Sequence, residues 1–259
     1  MNTLLATCNL GVSIADIRIC RDLSIKVDHG SRWAVLGRNG CGKTTLLKTL
    51  AGLHAQDSGD ITLGGEILGA IPRAQLARSL GILFQEQDTL FPGTVLEAAL
   101  IGRHPYLGPW RWETEEDIAR ARSALAQVGL TGKESRTLST LSGGERQRLA
   151  IATLLAQGPE LYLLDEPSTH LDLYHQIHIL RLLRELSRGG DKTLIMVLHD
   201  VNLAARFCDH ALLLFGSDAL VHGPIDEVLT EDNLLRLYGH PLVKHRTEQG
   251  GIFSPVWDE

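Results

Sequence analysis

Cysteine is scarce in this chain of 259 residues, and the four present (Cys8, Cys20, Cys41 and Cys208) form no CxxC pair. That excludes a disulfide scaffold, offers no structural zinc site and fits a reducing compartment. Long apolar runs are also missing. The densest, Leu194 to Leu198 and Ala211 to Phe215, are five residues each, against the roughly 20 that a membrane-spanning helix needs. The segment Met1 to Leu5 lacks both a positive n-region and a long apolar core, so no signal peptide is expected. A cytosolic protein is the expectation, with any membrane role exercised through a partner. Basic residues are outnumbered, 25 Lys and Arg against 31 Asp and Glu, for a net charge of −6. With no dense Lys/Arg run, the sequence lacks the basic stripe usual in nucleic-acid binders, although a locally basic face stays open. Linkers, fixed-period repeats and low-complexity segments are absent too. Aromatics make up 5% of the chain, and none precedes Trp33.

What remains is an ordinary globular composition, 44% apolar and 22% charged, in a chain long enough to bury a sizeable core. Short strands are expected at Ile17 to Ile19 and Leu23 to Val27, with a turn at Asp28 to Ser31. A buried strand, Trp33 to Leu36, runs into a glycine-rich loop, and a helix over Thr44 to Ala51 follows at once. Gly59 and Gly64-Gly65 punctuate a small antiparallel pair over 57–69. The middle reads as helical. Thr114 with Asp117 resembles a capping box ahead of Ile118, Ala121, Leu125 and Val128, and Glu145 to Gln157 is a second helix behind Ser142-Gly143-Gly144. A strand at Leu161 to Leu164 precedes a helix over 173–188 with Leu173, Ile177, Leu180, Leu183 and Leu186 inward. Further strands fall at Leu194 to Leu198 and Ala211 to Phe215. Strands alternating with helices predict a mostly parallel sheet. The whole, residues 1–259, reads as one α/β domain with a small antiparallel β subregion and a helical insertion at about 86–158.

The strongest chemical signal is Gly37-Arg38-Asn39-Gly40-Cys41-Gly42-Lys43-Thr44. It matches the P-loop pattern in full, after a strand and before a helix. Glycines let successive N–H groups turn inward as an anion nest, and the helix adds its positive end. Lys43 reaches the β- and γ-phosphates, and the Thr44 hydroxyl is a Mg²⁺ ligand. Cys41, at a helix start, has the setting in which a thiol pKa tends to fall. The strand ending in Asp165-Glu166 places two carboxylates where α/β sheets bind ligands. Asp165 suits Mg²⁺, and Glu166 suits a general base on the attacking water. His175 and His178, i,i+3 on a helix, lack a suggested third metal ligand.

Leu141-Ser142-Gly143-Gly144-Glu145 resembles the signature of the ATP-binding-cassette (ABC) ATPases. Gln85 resembles that family's Q-loop glutamine, Ser168 to Asp172 its D-loop, and His199 its switch histidine. Five motifs stand in the family's order between residues 37 and 200. The resemblance implies a P-loop ATPase with ATP and Mg²⁺ as cofactors. Gly37, Asn39, Gly40, Cys41, Gly42, Lys43, Thr44 and Thr45 would hold the nucleotide. Ser142, Gly143 and Gly144 would meet the γ-phosphate of a second cassette in a head-to-tail homodimer. Glu166, His199 and Gln85 would be catalytic, with Thr44, Gln85 and Asp165 around the metal. The family's usual early aromatic is replaced by Ile14, which implies apolar packing against the base and weak selectivity between ATP and GTP.

Several stretches are similar to the iron-siderophore, haem and cobalamin import class. They include Thr94 to Glu97, Gly102 to Tyr106, Leu171 to Gln176, His199 to Arg206 and Tyr238-Gly239. Membership implies two integral-membrane permeases, an indirect periplasmic or extracellular binding protein, no nucleic acid, and a peripheral place on the cytoplasmic face of the cell membrane. A permease contact near Phe91 is one expectation; in the other reading, Phe91-Pro92-Gly93 is only a turn and Trp110 and Trp112 are only packing. The alternative is a soluble ABC ATPase without a transport role, acting on an assembly or on nucleic acid.

Overall fold

The computed structural model describes residues 3–15, 17–85, 92–108, 110–216, 219–247 and 250–256. Strand β1 (Thr3–Ile14) turns back at Ala15 into β2 (Ile17–Leu23), and β3 (Lys26–Asp28) leads to β4 (Arg32–Gly37). Helix α1 (Lys43–Leu50) opens behind the glycine-rich loop. β5 (Ser58–Leu63) and β6 (Glu66–Ile67) form the expected antiparallel pair around Gly64-Gly65. Then come α2 (Arg73–Ser79), β7 (Leu80–Leu83), α3 (Val95–Leu100), α4 (Glu115–Gln127), α5 (Gly143–Gln157), β8 (Leu161–Asp165) and α6 (Leu173–Ser187). The chain continues through β9 (Thr193–Val197), α7 (Val201–Phe207), β10 (His210–Gly216), β11 (Ala219–Pro224), α8 (Ile225–Val228) and α9 (Glu231–Tyr238). It closes on a hairpin, β12 (Leu242–Thr247) and β13 (Gly250–Pro255).

Two compact units result: residues up to Ile71 together with those from Ser187 onward, and Pro72–Leu186. The first holds a parallel run in the order β10-β4-β9, with β11 antiparallel on its outer edge. These strands read as near-continuous apolar stretches because both faces are covered; all five residues of β9 are buried. The same unit carries the antiparallel sheet β2-β1-β5-β6, with β3 also on β1.

The second unit holds the parallel pair β7 and β8 and the helices α2 to α5. Thr114 caps α4 with the full reciprocal box to Asp117, as its sequence predicts, and Ser142 does the same for α5 with Glu145. A buried ion pair locks this unit. Arg103 Nε donates to Asp117 Oδ1 at 2.8 Å, its Nη1 reaches Ala156 O at 2.9 Å, and its guanidinium lies 4.0 Å from the Tyr106 ring centroid. The hydrogen bond from Arg103, which contributes most, and those from Thr114 in the capping box bring the Asp117 carboxyl down to about 2, against the opposing effect of burial.

Three expectations need correction or placing. Leu173 is 72% exposed, not inward. It stands at the first position of α6, nearly two turns ahead of the buried set Ile179, Leu180 and Leu183, so the apolar period extends further than the core does. Trp110 and Trp112 are 101% and 88% exposed, against the reading in which they serve only as packing. They lie on the connection into α4, beyond the reach of the helical core. Phe91 lies outside the described residues.

Candidate functional site

In the first unit, the register of the parallel strands fixes the geometry. Val35 of β4 pairs with Val197 of β9, and the Leu198 N–H continues the ladder to Val35 O at 3.2 Å. Gly37 and His199 each lie two residues beyond that pair. The glycine-rich loop and His199 therefore leave the same carboxyl edge of the sheet on neighbouring strands, where open α/β sheets bind their ligands.

The loop is shaped by contacts that only glycine permits. A Cβ on Gly37 would sit 2.5 Å from Cys41 Sγ and 2.9 Å from Leu214 O. Gly42 has φ +96°, and a Cβ there would meet three carbons of Ile19 at 2.4–2.8 Å. Ile19 comes from β2 and is fully buried, so the antiparallel sheet forms the floor under the start of α1. No acidic residue stands in the first turn of α1, which leaves its positive end suited to an anion. Lys43 is 7% exposed, with Nζ donating to Gly37 O at 2.8 Å and Arg38 O at 3.1 Å. Two of the three ammonium donors thus hold the side chain across its own loop, and the third remains to be offered. Burial raises the Cys41 thiol above its ordinary value, against the opposing pull of Lys43. The helix-start expectation for that thiol is reversed because desolvation outweighs the dipole and the nearby charge.

Asn39 and Gly40 are exposed, while Thr44 and Thr45 are half-buried on the first turn of α1. Ile14 pairs with Ile17 across the tip of the β1–β2 hairpin, 46% exposed. The same hairpin carries Ile19 to Gly42, so Ile14 belongs to the element that floors the loop. A cavity of about 460 Å³ opens on this hairpin between Ser13, Arg18, Arg21 and Asp57; no residue of the glycine-rich loop lines it.

In the second unit, Leu83 of β7 pairs with Leu164 of β8. Gln85 and Asp165-Glu166 thus leave one edge of that parallel pair together. Glu166 is 8% exposed and adopts φ +52°, a conformation costing a non-glycine residue about 1–3 kcal/mol and typical of functional sites. Its carboxylate accepts from Thr169 Oγ1 at 3.0 Å, and its carbonyl accepts from Gln147 Nε2 at 3.3 Å. The strained backbone is held from both sides. Asp165 is buried.

Ser142 is the N-cap of α5: Oγ accepts from Glu145 N at 3.2 Å, which leaves its O–H as a donor. Glu145 is anchored by Lys133 Nζ at 2.5 Å and Arg136 Nη1 at 3.0 Å. Lys133, the Ser142 N–H and Arg136 bring its carboxyl down to about 2, Lys133 being the largest influence. A Cβ on Gly144 would lie 3.0 Å from His170 O, so the Ser142–Glu145 turn is packed on the segment Ser168 to Asp172. His175 and His178 are committed elsewhere, to Asp172 at 2.9 Å and to Gln127 O at 2.8 Å. Among the described residues no cluster of three or more His, Cys, Asp or Glu could hold a metal ion.

Sequence reasoning missed the anchoring of Glu145 by Lys133 and Arg136 and the left-handed backbone of Glu166. The Ser142–Glu145 spacing was a legible signal for the cap. Nothing in the sequence marks the backbone of Glu166.

A glycine-rich loop joining a parallel strand to a helix, with a buried lysine folded over it, defines an α/β P-loop nucleotide-binding protein. The family model described as "ABC transporter" matches residues 20–169. The chain belongs to that family. It is 42% identical over 229 residues to the achromobactin transport ATP-binding protein CbrD of Dickeya dadantii, covering 88% of this chain and 85% of the relative. It is 40% identical over 240 residues to the hemin import ATP-binding protein HmuV of Deinococcus radiodurans, covering 91% and 90%. Among solved structures, a chain of a metal-chelate type ABC transporter in an inward-facing conformation superposes with a TM-score of 0.85 at 30% identity, covering 99% of this chain and 98% of that one. Among the described residues, no helix is long and apolar enough to cross a membrane.

Proposed function

We propose that the chain is the ATP-hydrolysing subunit of an importer for an iron chelate, haem or cobalamin. The observation that carries the hydrolytic part is the shared edge of β4 and β9, from which the P-loop and His199 emerge together. The import part rests on the relatives, whose names include achromobactin, hemin and cobalamin transport or import. They favour this reading over a soluble ATPase acting on an assembly or nucleic acid.

The chain's own groups suit each step. N–H groups of residues 40–44 and the Lys43 ammonium bind the β- and γ-phosphates. The donor set Thr44 hydroxyl, Gln85 amide and Asp165 carboxylate is all oxygen, the chemistry that Mg²⁺ takes, and these residues would hold it. When bound, the ion neutralises charge on the transferring phosphate. Glu166 accepts a proton from water as the oxygen attacks the γ-phosphorus, and ADP leaves with the bridging oxygen. His199 stabilises the γ-phosphate. Ser142, Gly143 and Gly144 contact the γ-phosphate held by a second copy, so that ATP closes a homodimer of cassettes. Residues 86–158 form the helical insertion of a single cassette spanning 1–259, and the permeases dock beside it. The chain sits on the cytoplasmic face of the membrane, meets a binding protein only through the permeases, and takes no nucleic acid.

The test is to tag the chain in its own cells, solubilise membranes gently and identify what co-purifies. A many-spanned permease is the expected result. A purely soluble complex would overturn the import reading while leaving the ATPase chemistry intact.

A further inference from the structure

His199 lies in a closed ring of contacts within the first unit. Asp200 caps α7, its Oδ1 accepting from Asn202 N at 2.7 Å and Leu203 N at 3.3 Å. Within the first turn, the Asn202 side chain pairs with a single residue of β13 in both directions. Oδ1 accepts from Phe253 N at 2.7 Å, and Nδ2 donates to Phe253 O at 3.1 Å. This is the pattern that a neighbouring strand would offer, supplied instead by an amide. Phe253 is 3% exposed and both bonds are part-buried, so they count for more than the same bonds in open water.

The hairpin is tied in turn to α8 and α9. Lys244 of β12 lies opposite Phe253. Its N–H donates to Glu231 at 2.8 Å, and its ammonium reaches Asp226 at 3.3 Å. Glu231 begins α9, and Tyr238 ends it. The Tyr238 hydroxyl donates to His199 O at 3.5 Å, and burial pushes that phenol up to about 12, which keeps it a neutral donor. The path leaves His199 along α7, crosses the hairpin and α9, and returns to the His199 carbonyl. Seven residues of α7 alone would give the turn little rigidity.

We propose that Asn202 is a positioning residue for His199, acting through the C-terminal hairpin. This rests on the reading of His199 as the γ-phosphate contact. His199 is exposed, and the position of its side chain follows that of the turn that carries it. A displacement of about 1 Å at a catalytic group can cost on the order of 100-fold in rate, and partial release of the turn should cost about tenfold.

The test compares the full chain with Asn202→Ala, His199→Ala and the double variant in steady-state ATP hydrolysis and ATP-binding titrations. The expected result for Asn202→Ala is a kcat lower by about tenfold with ATP affinity within about twofold of wild type. Adding Asn202→Ala to His199→Ala should bring no further loss, because one acts through the other. Should Asn202→Ala fail to bind ATP for lack of folding, Tyr238→Phe, which removes only the hydroxyl on His199 O, should lower kcat in the same way. An unchanged kcat in both variants, or a loss that adds in full to His199→Ala, overturns the proposal. Wild-type hydrolysis by His199→Ala would instead overturn the role of His199 itself.

Discussion

Gly42→Ala probes the loop at the point where two constraints coincide. The φ of +96° is unfavourable for any residue with a Cβ, at a cost of about 1–3 kcal/mol. The new methyl would also lie 2.4, 2.6 and 2.8 Å from Cγ1, Cδ1 and Cγ2 of Ile19, roughly 1 Å inside the optimal carbon–carbon separation. Ile19 is fully buried in β2 and has no space to retreat into, so overpacking adds about 1–3 kcal/mol. The total is about 2–6 kcal/mol, roughly 10 °C in melting temperature for a chain of this size. Gly40→Ala is the control. Its φ is +77°, but nothing lies within 4 Å of a Cβ there, so it carries the backbone cost alone. Thermal unfolding without nucleotide should rank wild type above Gly40→Ala, and Gly40→Ala above Gly42→Ala. ATP titration should show Gly42→Ala weaker by at least about tenfold, since α1 must shift to admit the methyl and its N–H groups shift with it. Equal melting temperatures for the two variants would refute the role of Ile19 as the floor of the loop. Wild-type ATP affinity in Gly42→Ala would refute the dependence of the anion site on this backbone.

Glu166→Gln should abolish turnover in an ATPase assay while ATP still binds in a titration; undiminished hydrolysis by a clean preparation would remove Glu166 from its role. GTP should compete with labelled ATP within a fewfold of ATP itself, because Ile14 offers apolar contact without stacking; a strong preference for ATP would show that another group reads the base. Asp117→Asn should destabilise the second unit in urea unfolding at pH 7. The folded Asp117 titrates at about 2, below its ordinary value near 3.9, so its contribution is present above about pH 4 and fades as pH falls toward 2. That contribution is about 2 kcal/mol, and the variant should show a flatter acid dependence across that window; an unaltered slope would mean that the pair with Arg103 does not stabilise the fold.

The legible parts of the molecule were those written in short-range chemistry. The P-loop, the capping box at Thr114, the helix start behind Ser142 and the strand leading into Asp165 each depend on a few adjacent residues, and the structure forms each of them. The core face of α6 was legible only in part, because periodicity identifies a stripe but not how far along it a partner extends; Leu173 continues the stripe past the core. Trp110 and Trp112 illustrate the same limit: the sequence leaves packing and exposure both open, and which elements surround them decides. The left-handed backbone at Glu166 was invisible because glutamate gives no local sign of it. It is maintained by Gln147 and Thr169, one of them 19 residues away in sequence.

The stretches that mark the import class bear on a different question from the one they first suggest. Within Gly102 to Tyr106, Arg103 closes the buried ion pair and the Tyr106 hydroxyl bonds Gln157 O at 2.8 Å. Within Leu171 to Gln176, Asp172 accepts from both the backbone and the ring of His175. Within His199 to Arg206, Asp200 caps α7 and Asn202 clasps Phe253. These residues make contacts that fix the scaffold. Their common trait is to stiffen the turns that carry His199 and the helices that carry the Ser142 turn. A class signature made of such residues records how rigidly nucleotide chemistry is held, which is what a subunit must supply if it moves a permease by closing on ATP. It follows that exchanging cargo between importers of this class should require changes in the permease, while exchanging these residues should alter ATP turnover first.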